Sequence, residues 1–174
     1  MEVEIKSKVE DLSKVEKKLL DLGAQFLREM EEEDEYFNHP CRDFAQTDEA
    51  LRIRNDGTLT YKGPKVDKDT KSREEINVEI GDRNSMRKLL ISLGFLPVEK
   101  VNKKRKYYRL GEIIVTLDEV EDLGSFIEVE CIGEYESCRK KVLQLADLLG
   151  LKEFIRESYL EMLLEKSLKE GQHR

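Results

Sequence analysis

The chain opens on strict alternation. Val3, Ile5 and Val9 fall on one face, and Glu2, Glu4, Lys6 and Lys8 on the other, the period of a strand with one covered side. The period then changes. Leu12, Val15, Leu19 and Leu22 recur at helical spacing behind a cap at Asp11 or Ser13, and Gly23 ends the stretch. Glu35–Asn38 reads as a strand that turns at Pro40. Ala50–Arg54 and Thr58–Lys62 alternate on either side of Asn55-Asp56-Gly57, a hairpin signal. The polar, basic stretch from Gly63 to Ser72 has no period and reads as a mobile loop. Arg73–Ile80 alternates again, with Arg73, Glu75, Asn77 and Glu79 opposite Ile76, Val78 and Ile80. A helix is expected over Asn84–Leu93, then a hairpin of Glu99–Leu110 and Glu112–Asp118 around Gly111, then a last strand over Ser125–Ile132. Helices over Tyr135–Leu149 and Phe154–Lys169 close the chain, with a frayed tail over 171–174.

Roughly eight strands and four amphipathic helices, joined by hairpins or single helices, predict one antiparallel α+β domain over residues 1–170. The order strand, helix, strand, hairpin recurs weakly from Arg73 onward. The apolar stripe of the last helix (Phe154, Tyr159, Met162, Leu163) fits either its own sheet or a second copy, so a monomer or a homodimer is expected.

Composition narrows the function classes. Charged residues make up 40% of the chain and apolar ones 39%, with a net charge of -7. That balance argues against nonspecific nucleic-acid binding, which needs a cationic surface, but leaves room for a local cation cluster and a small anionic ligand. No apolar run approaches the roughly 20 residues of a membrane span, and the N-terminus has no secretory pattern. A cytoplasmic location is expected. Cys41, Cys131 and Cys138 show no metal-site spacing and read as free thiols in a reducing compartment.

The strand charges alter this picture most. The polar faces carry Glu2, Glu4, Lys6, Arg52, Arg54, Lys62, Arg73, Glu75, Glu79, Lys103, Arg105, Asp118, Glu128 and Glu130. For one strand alone, a solvated face is the ordinary reading. Taken together the charges are sorted, with carboxylates concentrated on the first, penultimate and last strands and cations on the middle ones, whereas a solubility surface intersperses them. An antiparallel sheet of this size tends to curl and close. The expected architecture is therefore an eight-stranded closed barrel, or tunnel, with helices outside. Its charged interior is costly unless the charges pair or meet a ligand. Clustered carboxylates call for a divalent cation with oxygen ligands, Mg²⁺ or Mn²⁺, and the guanidiniums suit phosphate.

Glu2-Val3-Glu4-Ile5-Lys6 resembles the ExExK signature of the CYTH superfamily, the triphosphate tunnel metalloenzymes. The similarity continues through Asp34–Phe37, Leu51–Arg54, Tyr61–Pro64, Arg73–Glu75, Lys103–Arg105 and Leu117-Asp118 to Leu123–Glu130. Asn38–Phe44 and Thr47–Arg52 look most like the class IV adenylyl cyclase branch. The resemblance implies metal at Glu2, Glu4, Asp118, Glu128 and Glu130. It implies phosphate binding by Lys6, Arg52, Arg54, Lys62, Arg73, Lys103 and Arg105, with Glu4, Lys6, Asp118 and Glu130 at the chemistry. Implied activities are ATP cyclisation to cyclic AMP and pyrophosphate, or hydrolysis of thiamine triphosphate, nucleoside triphosphate or tripolyphosphate. A non-catalytic polyphosphate-binding module would use the same charges. Tyr36 and Tyr108 are the aromatic candidates for stacking on an organic group. Gly63-Pro64-Lys65 lacks the P-loop pattern, and the loop it starts is a candidate cover for a tunnel mouth. His39 reads as a surface turn residue.

Overall fold

In the computed structural model, which describes residues 1–68 and 70–172, the elements are β1 (Glu2–Lys8), α1 (Leu12–Asp21), β2 (Gln25–Asn38), α2 (Phe44–Thr47), β3 (Ala50–Arg54), β4 (Thr58–Lys62), β5 (Glu75–Glu79), α3 (Arg83–Ser92), β6 (Leu96–Leu110), β7 (Ile113–Val120), β8 (Gly124–Ile132), α4 (Tyr135–Leu148) and α5 (Tyr159–Gly171). The strands form one eight-stranded antiparallel sheet in the order β1-β8-β7-β6-β2-β3-β4-β5. The sheet is strongly curled, and its ends approach one another. The free edge of β1 is met by a bridge between Glu2 and Arg73. The Lys71 amide donates to the Glu4 carbonyl at 2.7 Å and the Ile155 amide to the Lys6 carbonyl at 2.8 Å. The seam is thus filled by two connecting segments, which satisfy edge groups that would otherwise invite pairing with another chain.

Alternation sorts the side chains as expected. Val3, Ile5, Val115, Leu117, Ile127 and Val129 point outward into a core closed by Val15 and Leu19 of α1 and Val142 and Leu145 of α4. A second outer cluster, Phe37, Ile53 and Leu90, lies under α3. A third, Tyr36, Val101, Val120, Phe126 and Tyr159, sits within the curl. Here Met162 and Leu163 of α5 pack against the chain's own sheet. Asp11 caps α1 through the Ser13 and Lys14 amides, and Asp82 caps α3 in the same way.

The structure departs from the sequence-based expectation at several elements. β2 starts at Gln25, ten residues before the strand expected at Glu35, and pairs with β6 along its length. Its first half, with Arg28, Glu29, Glu31, Glu32 and Glu33, carries charge on both faces and so shows no alternation. The last helix begins at Tyr159, not Phe154. Residues 153–155 instead run beside β1, where the Ser7 hydroxyl donates to the Glu153 carbonyl, and a Ser158–Glu161 capping box then starts α5. A short helix, α2, was not expected; the Asp43 side chain caps it and a left-handed Asp48 ends it. Cys131 and Cys138, expected as free thiols, form a disulfide, because the end of β8 and the first turn of α4 bring their Cα atoms to 5.4 Å. Cys41 is free and exposed.

The stretch expected to be a mobile loop is anchored at several points. Thr70 and Ser72 are buried, the Val66 amide donates to the Ser72 carbonyl, and Arg156 donates to the Asp67 carbonyl. In the tail expected to fray from residue 171, Gly171 ends α5 and Gln172 caps it; residues 173–174 lie outside the described residues. Among the described residues, no helix is long and apolar enough to cross a membrane.

Candidate active site

The concave face of the sheet encloses a cavity of about 530 Å³, whose wall includes Glu2, Glu4, Lys6, Arg52, Arg54, Lys62, Arg73, Lys103, Arg105, Glu128 and Glu130. It divides into two parts with different electrostatics.

In one part every charge has a partner. Arg105 grips Asp118 through both oxygens at 2.6 and 2.5 Å and reaches Glu128 at 2.8 Å. The Tyr159 hydroxyl donates to the same Asp118 at 2.5 Å. Arg54 donates twice to Asp34, at 2.7 and 3.0 Å, and Lys103 once, at 2.9 Å. Glu32 lies 3.2 Å from Arg54 and 3.3 Å from Lys103 and accepts from Tyr107. Burial alone would raise the Asp34 carboxyl, but Arg52, Lys103 and Arg54 override it and hold it well below the usual range. Arg105, followed by Lys6, does the same for Glu128 against its burial. This half is a self-neutralised floor.

In the other part the charges are under-matched. Glu2, Glu4 and Glu130 each offer an oxygen, and the three oxygens lie within 4.8 Å of one another. Register explains the meeting, since Glu4 faces Glu130 across the β1–β8 ladder and Glu2 follows on the same face of β1. Burial, then a hydrogen bond with Glu75, pushes the Glu2 carboxyl up to about 10. Burial, then the Glu4 charge, pushes Glu130 up to about 7. Burial and Glu128 raise Glu4, but Lys71, Lys62 and Lys6 bring it below its ordinary value. Facing this trio are cations with weak engagements. Lys62 lies 3.3 Å from Glu75 and Arg73 lies 3.9 Å from Asp48. Arg52 reaches Asp34 only at 3.6 Å, and its buried Nε has no hydrogen-bond partner among the described residues. Burial, then the neighbouring Lys71 charge, drives the Lys6 ammonium well below its usual value. It donates to the Glu157 carbonyl at 3.0 Å and lies 3.8 Å over the Tyr159 ring.

Of the five carboxylates expected to hold metal, the structure therefore gathers Glu2, Glu4 and Glu130. Glu128 lies 3.6 Å from Lys6, and Asp118 is locked to Arg105 and Tyr159. Of the seven expected phosphate ligands, Lys6, Arg52, Lys62 and Arg73 keep donor capacity toward the cavity, while Arg54, Lys103 and Arg105 are engaged by carboxylates. Tyr108, a stacking candidate, points outward instead, buried in the outer core with its hydroxyl on Glu16. The tyrosines lining the cavity are Tyr36, Tyr107 and Tyr159. His39 packs edge-on against Phe95 and accepts from the Cys41 amide. Sequence reasoning missed Tyr107, Tyr159 and Lys71 as wall residues, and Glu32 and Asp34 as the buried carboxylates that partner the wall cations. Asp34 and Tyr36 do share the inner face of β2, a signal hidden by the acidic run around them. Lys71 has no periodic signal.

The CYTH domain matches residues 1–159. The chain belongs to the CYTH family. The Methanocaldococcus jannaschii protein named "Putative adenylate cyclase" is 43% identical over 171 residues, covering 93% of this chain and 98% of that protein. The Aeromonas hydrophila adenylate cyclase CyaB is 29% identical, covering 86% and 81%. A solved structure from Pyrococcus horikoshii superposes with a TM-score of 0.85 at 44% identity, covering 95% of this chain and 99% of that one. The CYTH fold implies a divalent metal, and the donor set fits one: the trio offers carboxylate oxygens alone, in a pocket whose burial disfavours their bare charges, which suits a hard cation.

Proposed function

We propose that this CYTH protein is a divalent-metal-dependent enzyme acting on a triphosphate, an adenylyl cyclase that converts ATP to cyclic AMP and pyrophosphate. One observation carries the reading. Three convergent carboxylates and four cations with spare donors, Lys6, Arg52, Lys62 and Arg73, face each other inside one cavity. That pairing suits a metal–triphosphate complex better than either component alone. A bound Mg²⁺ or Mn²⁺ supplies charge neutralisation and polarises phosphoryl oxygens.

The chain's own groups do the rest. Glu2, Glu4 and Glu130 hold the ion. Arg52 offers a planar guanidinium with an unused Nε–H, and Lys62, Arg73 and Lys6 supply charge along the phosphates. In cyclisation the ribose 3'-oxygen bonds to the α-phosphorus, the bond to pyrophosphate breaks and the hydroxyl proton is released. Glu4 and Glu130, with Lys6, stand at the reacting end. Asp118, held by Arg105 and Tyr159, acts as a positioning residue that fixes the floor on which these groups rest.

The names of the two curated relatives favour cyclisation. The same wall also accommodates water attack on the terminal phosphorus, and a Hippeastrum protein of this fold, 23% identical, is described as having a dominant triphosphatase activity. The deciding experiment incubates purified protein with Mg²⁺ or Mn²⁺ and, separately, ATP, thiamine triphosphate and tripolyphosphate, then resolves the products. Cyclic AMP with pyrophosphate supports the cyclase. Inorganic phosphate assigns a triphosphatase, and tight binding with no turnover of any of the three assigns a binding module.

A further inference from the structure

Lys71 reaches the cavity from a connecting segment, not from a strand. Its backbone is fixed: the amide donates to the Glu4 carbonyl, and the flanking Thr70 and Ser72 are buried with their hydroxyls bonded to each other. Asp67 accepts from both the amide and the hydroxyl of Thr70, each at 2.6 Å. The side chain is the adaptable part, an ammonium on a four-carbon stem. It lies 3.1 Å from Glu4 Oε1 and is 11% exposed.

Glu4 is also a member of the carboxylate trio, so a divalent ion held there competes with Lys71 for the same carboxylate. Lys6 stands on the other side, already committed to the Glu157 carbonyl and within 3.6 Å of Glu128. Two neighbouring ammonium groups repel, and here they are held together by surplus carboxylate charge. A dication on the trio removes that surplus at Glu4 and leaves Lys71 with only the Glu128 charge, which Arg105 and Lys6 already share. A phosphate lying along Lys6, Lys62 and Arg52 would supply the missing anion.

We propose that Lys71 is an exchangeable cation of the site, which neutralises Glu4 when no divalent ion is bound and turns to the triphosphate when one is. This inference rests on the functional reading above. It makes Lys71 both a competitor of the metal and a ligand of the substrate, so removing it has effects of opposite sign. A merely structural role would weaken both interactions together.

The test is titration calorimetry on the full chain, first with Mn²⁺ alone and then with tripolyphosphate at saturating Mn²⁺. Lys71→Met is expected to bind Mn²⁺ about tenfold tighter and tripolyphosphate about tenfold weaker than wild type. Lys71→Arg, which keeps the charge, is expected to stay within about threefold of wild type for the anion. Should Lys71→Met fail to fold, Lys71→Gln carries the same test. Unchanged affinities, or a loss of both, in a folded variant overturn the role of Lys71 alone. Wild-type protein that binds neither ligand overturns the functional reading and this inference with it.

Discussion

Asp34 shows what a single buried charge does in this cavity. It is fully buried, and its oxygens take hydrogen bonds from Arg54 and Lys103. A buried charge that loses its partner typically costs about 3–5 kcal/mol, and Asp34→Asn leaves Arg52 without its nearest carboxylate and Arg54 and Lys103 with Glu32 alone. We expect this variant to be less stable by about that amount at neutral pH. The pH dependence has a definite sign. Because the folded carboxyl titrates well below its ordinary value, its contribution is complete above the unfolded value of about 3.9 and is lost as pH falls through the folded one. Denaturant titrations of wild type and Asp34→Asn should therefore show a constant gap from about pH 7 to 5 that narrows below about pH 4. A gap that holds down to pH 2 contradicts the assignment. Tyr159 tests the same floor from the other side. Tyr159→Phe keeps the ring beneath Lys6 but removes the hydroxyl that donates to Asp118, and thermal denaturation should report a loss of about 1–3 kcal/mol.

At the scale of elements, the C-terminal segment is more than a cover. Residues 153–157 lie on β1, donating to it from Ile155 and accepting from Ser7 and Lys6 before α5 begins. The capping box at Ser158 fixes where extended chain becomes helix, and so where the Tyr159 ring enters the cavity. Ser158→Ala should cost about 1 kcal/mol, visible as a lower Tm. An unchanged Tm would mean that β1, not the cap, sets this boundary. The serine-to-glutamate spacing of that cap stands in the sequence, yet Phe154 and Ile155 extend the apolar stripe backward and obscure the helix start. β2 was obscured for the opposite reason, an acidic run with no apolar face to follow. Where one face is covered by a helix, as in β1, β7 and β8, alternation predicted both strand and orientation, and with them Glu2, Glu4 and Glu130. Pairings such as Lys103 with Asp34 depend on register between strands far apart in sequence, which periodicity does not carry. The Cys131–Cys138 link is local, seven residues apart, but it depends on how the end of β8 meets the first turn of α4, which periodicity does not carry either.

For the whole molecule, the division of the cavity into a neutralised floor and an under-matched wall determines how ligands act on each other. A triphosphate entering without metal meets Lys6, Arg52, Lys62 and Arg73 but also the Glu2, Glu4 and Glu130 carboxylates. A divalent ion entering without triphosphate meets the trio but also the four cations. Each ligand removes the repulsion that opposes the other, so their binding is positively coupled, and by linkage the coupling is the same in either order. Ligands that bind only the native state raise its stability with their affinity. Mn²⁺ and tripolyphosphate together should therefore raise Tm by clearly more than the sum of their separate shifts. Glu130→Gln, which keeps the shape but removes one trio charge, should lower Mn²⁺ affinity and shrink the excess, while metal-free tripolyphosphate binds it no worse than wild type. Strictly additive shifts in the wild type would show that the carboxylates and cations do not share one ligand complex. Coupling retained in full by Glu130→Gln would place the ion elsewhere than on the trio.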